Sequence, residues 1–161
     1  MIAEGPITQL AWVTDEIAAT EALLREQFGS GPWTRIPDVH FDPEHSRLRG
    51  EPHEFTAHIS LAYAGDLQLE LIQPVAGRSV HTEFLARHGP GLHHVCFEVD
   101  DLAAACARAE QAGVPVLQSG SMMAGEIEFA YLDGSAAGAP YIELARIGPR
   151  MAAFYDAVRR G

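Results

Sequence analysis

Four residues of the types that hold divalent metal ions stand at matched places in this chain: Gln9, Glu70, His94 and Glu143. They match because the chain repeats itself. The run QLAWVTDEIAAT from Gln9 returns as HVCFEVDDLAAA from His94, and each copy closes on a similar apolar strand, Leu69-Glu70-Leu71-Ile72 and Ile142-Glu143-Leu144. Taken singly, each of the four is an ordinary polar strand residue. Together they offer two carboxylates, one imidazole and one amide oxygen, a mostly hard donor set. Such a set suits an octahedral divalent ion with two positions left for water or substrate, and Zn, Ni, Co, Mn and Fe(II) all fit. Without thiolates it does not read as a closed structural zinc site. Two carboxylates brought together would repel, and without a cation one would have to take up a proton.

The elements that must position these groups follow from periodicity. Ile7 to Val13 alternates as a strand, with Leu10 and Trp12 on one face and Gln9, Ala11 and Val13 on the other. Asp15 is a candidate N-cap for a helix to about Phe28, with Ile17, Thr20, Leu24 and Phe28 as its buried stripe. Trp33 to Ile36 reads as a strand. Pro37 to Glu54, polar and broken by proline and glycine, reads as a long binding or lid loop. Phe55 to Tyr63 and Leu67 to Gln73 form a hairpin around Ala64-Gly65-Asp66. A short helix over Val80 to Arg87 precedes the second copy.

There, Val95, Phe97 and Val99 face one way and His94, Cys96 and Glu98 the other, and Asp101 caps a helix ended by Gly113. Val114 to Gln118, Glu126 to Leu132 and Pro140 to Ile147 are strands, and Met151, Phe154, Tyr155 and Val158 give a final helix its apolar face. The expected fold is therefore α+β: two tandem βαβββ modules, about 7–74 and 92–147, with a C-terminal helix at about 148–160. They form a curved mixed sheet, with helices outside and a cup inside. Gln9, Glu70, His94 and Glu143 fall on the cup face. For His94 this rests on register, since a slip of one residue would send it to the helix face.

Length and composition bound the function. The chain has 161 residues, 47% hydrophobic and 20% charged, enough for one domain with a real core. A net charge of −11 argues against a nucleic-acid binder. No signal peptide or membrane-spanning run is visible, and Cys96 and Cys106 form no CxxC pair, so a reducing, cytoplasmic setting is expected.

Gly91-Leu92-His93-His94-Val95-Cys96-Phe97-Glu98-Val99-Asp100-Asp101-Leu102, Glu70-Leu71-Ile72-Gln73-Pro74, and Phe129 to Asp133 followed by Tyr141 to Leu144 resemble the vicinal oxygen chelate superfamily. That superfamily includes glyoxalase I, methylmalonyl-CoA epimerase, extradiol dioxygenases and bleomycin- or fosfomycin-resistance proteins. The resemblance covers about Ile7 to Arg146 and makes residues 1–161 a single vicinal-oxygen-chelate domain. The first two stretches are similar to the epimerase branch. The resemblance places a divalent metal at the bottom of the cup on Gln9, Glu70, His94 and Glu143. Gln9 departs from the histidine usual in the epimerases and resembles one type of glyoxalase I.

The implied activity is that of a metal-dependent isomerase, epimerase or lyase. A substrate carbonyl binds the metal, and the adjacent C–H loses its proton to give an enolate. Glu143 and His58 are the candidate bases. A three-residue turn at Ala64-Gly65-Asp66 would put His58 on the Glu70 face, and a two-residue turn would not. Trp33, Tyr131 and Tyr141 are candidates for an aromatic pocket wall; ordinary packing explains them as well. A metal-free binding or resistance protein is the rival reading, and a ring-cleaving dioxygenase ranks behind both, since it needs two histidine ligands. A small carbonyl compound or an acyl-CoA is the expected substrate, and a homodimer the expected assembly.

Overall fold

The computed structural model describes residues 1–161. Ten strands form one sheet. They are β1 (Gln9–Val13), β2 (Thr34–Phe41), β3 (Ser46–Leu48), β4 (Glu51–Pro52), β5 (Phe55–Ala64), β6 (Leu67–Gly77), β7 (Gly91–Glu98), β8 (Val116–Met122), β9 (Ile127–Asp133) and β10 (Tyr141–Ile147). Four helices accompany them: α1 (Ile17–Phe28), α2 (Val80–His88), α3 (Leu102–Gln111) and α4 (Pro149–Arg160). The strand order is β2-β5-β6-β1-β7-β10-β9-β8-β3-β4. The two modules are visible in that order. Each opening strand lies parallel to its own closing strand, β1 to β6 and β7 to β10. The modules join where β1 and β7 run antiparallel.

Alternation divides each strand between two environments. Leu132 and Leu144 pack beneath α3 with Ala105 and Ala109. α3 starts as expected, with the Asp101 side chain accepting from the Ala104 amide at 2.9 Å. α1 differs from its expected pattern. It begins at Ile17, with Glu16 at the cap and no side-chain cap bond. Its buried residues are Ile17 and Glu21, whereas Phe28 is 72% exposed. Glu21 is tolerated inside because the Arg35 guanidinium donates two bonds to it, at 3.1 and 2.5 Å.

The segment expected as a long loop is largely strand. β2 continues to Phe41 across an irregularity between Ile36 and Val39, and Asp38 there has φ +52°. After the four residues Asp42 to His45, the chain pairs as β3 with β8, Ser46 opposite Gly120. The β3–β4 hairpin of the first module thus extends the far edge of the second. Asp42–His45 forms a strap between the two outer edges of the sheet. Phe41 fills the space beside it, stacked on Phe55 at 4.1 Å and edge-on to Phe129 at 5.7 Å. Gly120 permits this closure, since a Cβ there would come 2.7 Å from the Phe129 ring and 3.1 Å from the His45 carbonyl oxygen.

α4 runs back over the concave face. The Glu126 carboxylate accepts from the Arg150 and Met151 amides at its N-terminus, 2.9 and 3.3 Å. Met151 and Val158 are buried, so the apolar stripe of this helix packs on the body. No helix is long and apolar enough to cross a membrane.

Candidate metal and substrate site

The four matched residues converge. His94 Nε2 lies 3.2 Å from Gln9 Oε1, 2.9 Å from Glu143 Oε2 and 3.6 Å from Glu70 Oε2. They come from β6, β1, β7 and β10, four adjacent strands of the sheet. Leu71 and Leu144, next to the two glutamates, are almost fully buried on the opposite face, which fixes the register of β6 and β10 and so the aim of both carboxylates. A polar chain sets the Gln9 amide. Its nitrogen donates to Gln68 Oε1 at 2.6 Å, and Gln68 donates to the Tyr63 hydroxyl at 2.8 Å. That leaves Gln9 Oε1 turned towards His94.

The electrostatics favour a cation. Burial, and then the neighbouring Glu143, push the Glu70 carboxyl well above its ordinary value. The same order of causes, burial and then the two glutamates, raises the Tyr131 and Tyr155 phenols well above theirs. Glu70, His94 and Glu143 place one ligand atom each within 4.8 Å of one another. The donor set and its unbalanced negative charge therefore fit a divalent ion held by these residues.

A second feature was hidden from alternation. β1 pairs Ala11 with His94 but Trp12 with Leu92, so His93 is an extra residue in β7, a bulge. Both imidazoles are fully buried, with their Nδ1 atoms 2.9 Å apart. His93 also stacks on Tyr141 at 4.4 Å and lies 4.7 Å from the His81 ring of α2. His81 was not anticipated as part of the site. It follows the α2 capping box made by Ser79 and Thr82, which aims the first turn of that helix inward. Burial lowers the His81 pKa to about 3, so the ring is neutral.

Three expected site residues lie elsewhere. The turn holds two residues, Gly65 and Asp66, because Ala64 pairs with Leu67. His58 then pairs with Gln73 rather than standing on the Glu70 face, and its Nδ1 accepts from the Asp38 amide at 3.0 Å. It does not line the cavity and is not placed to act on a substrate there. Trp33 precedes β2, half-buried, and is also absent from the cavity wall. Tyr141 is occupied by His93 on the α2 side of the cluster. Tyr131, directly across from Glu143, does line the cavity.

A sheet curled around an internal cavity, with paired opening and closing strands supplying matched polar groups, is a two-module architecture shared with known proteins. The chain matches the Glyoxalase/Bleomycin resistance protein/Dioxygenase superfamily over residues 8–131, and it belongs to that superfamily. It is 41% identical over 54 residues to the ethylmalonyl-CoA/methylmalonyl-CoA epimerase of Cereibacter sphaeroides, a stretch covering 33% of this chain and 40% of that protein.

In structure it is similar to the methylmalonyl-CoA epimerase of Mycobacterium tuberculosis, with a TM-score of 0.62 and 21% identity over 91% of each chain. It is also similar to a Streptomyces coelicolor methylmalonyl-CoA epimerase variant in complex with 2-nitronate-propionyl-CoA. There the TM-score is 0.62, at 20% identity over 89% of this chain and 95% of that one.

Proposed function

We propose that this protein is a metal-dependent isomerase, of epimerase or glyoxalase-like type, that removes and returns a proton beside a substrate carbonyl. The observation that carries the reading is the convergence of Gln9, Glu70, His94 and Glu143 on one buried point. These four residues would hold the divalent ion. When bound, such an ion supplies a Lewis acid for a carbonyl oxygen and makes the adjacent C–H more acidic, favouring an enolate.

The chain's own groups do the rest. Glu143 takes the proton on its carboxylate and returns it, beside the Tyr131 ring that walls it from water. Gln68 holds the Gln9 amide in its ligating orientation. His93 contacts His94 Nδ1, which keeps the Nε2 of that ring aimed into the cup. The similarity to epimerases of acyl-CoA substrates supports the reaction class. The two modules and α4 act as one domain in this reading. Unpaired Cys96 and Cys106 agree with a reducing cytoplasm, and exposed Leu23 and Phe28 on α1 offer an apolar contact for a homodimer.

The test is elemental analysis of purified wild type beside His94→Ala/Glu143→Ala, joined to deuterium uptake from D₂O into methylmalonyl-CoA and a panel of α-substituted ketones. About one divalent ion per chain is expected, lost in the double variant, with exchange into at least one substrate. Wild type that takes up no metal after supplementation with Zn, Ni, Co and Mn leaves a metal-free binding protein as the better reading.

A further inference from the structure

The cavity above the ligand cluster has a volume of about 250 Å³, and most residues lining it are hydrophobic. Its wall comes from both modules, with Ile59 and Leu61 of β5 facing Ile127 and Phe129 of β9. α4 adds a third side. Met151, Tyr155 and Arg159, spaced four apart, form one stripe of that helix over the cavity. This stripe lies beyond the residues matched to the superfamily.

The charges in the lining are unequal. Four carboxylates are present, Glu70, Glu143, Asp66 and Glu98, against one permanent cation, Arg159. His81 also lines the cavity, packed inward against Tyr131 and His93 and away from the rim where a substrate tail would lie. A divalent ion would balance Glu70 and Glu143. Arg159 is already engaged, 3.6 Å from Asp66 and 4.7 Å above the Tyr63 ring. Arg159 is thus the one cation of the lining, at its exposed rim and shared with Asp66, and Glu98 adds a charge that repels a carboxylate tail.

We propose that the cavity takes a neutral, largely apolar carbonyl compound, with its carbonyl end at the ligand cluster and its apolar body against β5, β9 and α4, rather than a carboxylated acyl-CoA. This rests on the metal-dependent reading above and names the substrate class of that same site. The α4 stripe is then a specificity element added to the shared two-module frame. The geometry that opposes anions is also what makes the site receptive to a hydrocarbon or aryl group, since burying apolar surface in such a cavity is favourable.

The experiment uses hydroxamates as chelating probes on the cobalt(II)-loaded protein, read by the cobalt absorption spectrum and by calorimetry. Acetohydroxamate has no tail, octanohydroxamate an apolar one, and suberic monohydroxamate a tail of the same length ending in a carboxylate. Octanohydroxamate should bind at least about tenfold tighter than acetohydroxamate, and suberic monohydroxamate at least about tenfold weaker than octanohydroxamate. Met122→Lys, which adds a cation to the lining, should narrow that second gap while circular dichroism stays unchanged.

Equal binding of all three, or a preference for the carboxylated tail, overturns the proposal and leaves the metal reading intact. A separate arm on metal-free wild type uses the neutral fluorophore N-phenyl-1-naphthylamine. Blue-shifted emission displaced by 1-octanol supports the apolar cavity even if the protein takes up no cobalt, in which case only the metal reading falls. No binding of the fluorophore overturns the proposal.

Discussion

The two modules share one pattern and use it differently. In the first, β1 and β6 bring an amide and a carboxylate, and a long excursion through β3 and β4 leaves the module altogether. In the second, β7 and β10 bring an imidazole and a carboxylate, and the irregularities are local, the single-residue bulge at His93 and a register shift between Val116 and Gln118 of β8. The carboxylates are equivalent, each followed by a fully buried leucine, Leu71 or Leu144. The asymmetry lies in the opening strands. His94 lies within 3.6 Å of all three other residues of the cluster, whereas Gln9 reaches it through one oxygen and is held from outside by Gln68. The two copies thus supply matched scaffolds, and the residue at the centre of the cluster comes from the second.

The largest effect expected on that comparison is catalytic. Glu143→Gln should slow deuterium exchange by roughly 10²–10⁴-fold, the usual span for a lost general base, with an unchanged circular dichroism spectrum. Comparable exchange in the variant would remove Glu143 from the role of base. Metal affinity separates the opening strands next. His94→Ala should abolish uptake in a competitive chelator titration. Gln68→Leu, which only frees the Gln9 amide, should weaken it by about 10–100-fold. Equal losses would mean that Gln9 and His94 matter alike.

The scaffolds should instead behave as equals. Leu71→Ala and Leu144→Ala should each cost about 2–5 kcal/mol in urea unfolding, as buried leucines do. A large difference between them would show that one module carries most of the stability. pH probes the cluster from the α2 side. His81 has a folded pKa of about 3 against 6.5 when unfolded. Its contribution to stability is complete above pH 6.5 and falls away as the pH drops towards 3, because the unfolded chain takes the proton first. At pH 4.5 the loss is roughly 2–3 kcal/mol, and thermal melts of His81→Phe should show a flatter acid limb. The smallest effect concerns the β3–β4 excursion. Arg49 there forms a two-bond pair with Glu83 of α2, at 3.0 and 2.6 Å but half exposed. Arg49→Ala should therefore cost less than about 1 kcal/mol.

What was legible in the sequence follows the same division. The duplicated pattern carried the βαβββ order of each module outside residues 37–54 and the shared face of the four polar residues. Each is a consequence of local periodicity applied twice. What escaped needed non-local information. β3 and β4 are three and two residues long, too short for a period, and gain their partner only from β8. The bulge at His93 is set by backbone pairing with β1, so simple alternation excluded a ring that lies inside. His58 turned on the length of one hairpin turn. Its face was undecidable until Ala64 was seen to pair with Leu67. The role of α4 was half readable, since its apolar stripe was plain but not the surface that the stripe covers.

The strap has a consequence for how the chain acquires its shape. β3 belongs to the first module by position but has its lateral partner in β8, made only after α2, β7 and α3. A nascent or severed first module would therefore carry an unfinished hairpin and an unshielded row of aromatic side chains, Phe41 and Phe55 among them. The rim can close only once the second half is present to receive it. A pair of repeats that could once have parted is by this single crossing made indivisible, like a ring fastened by a clasp.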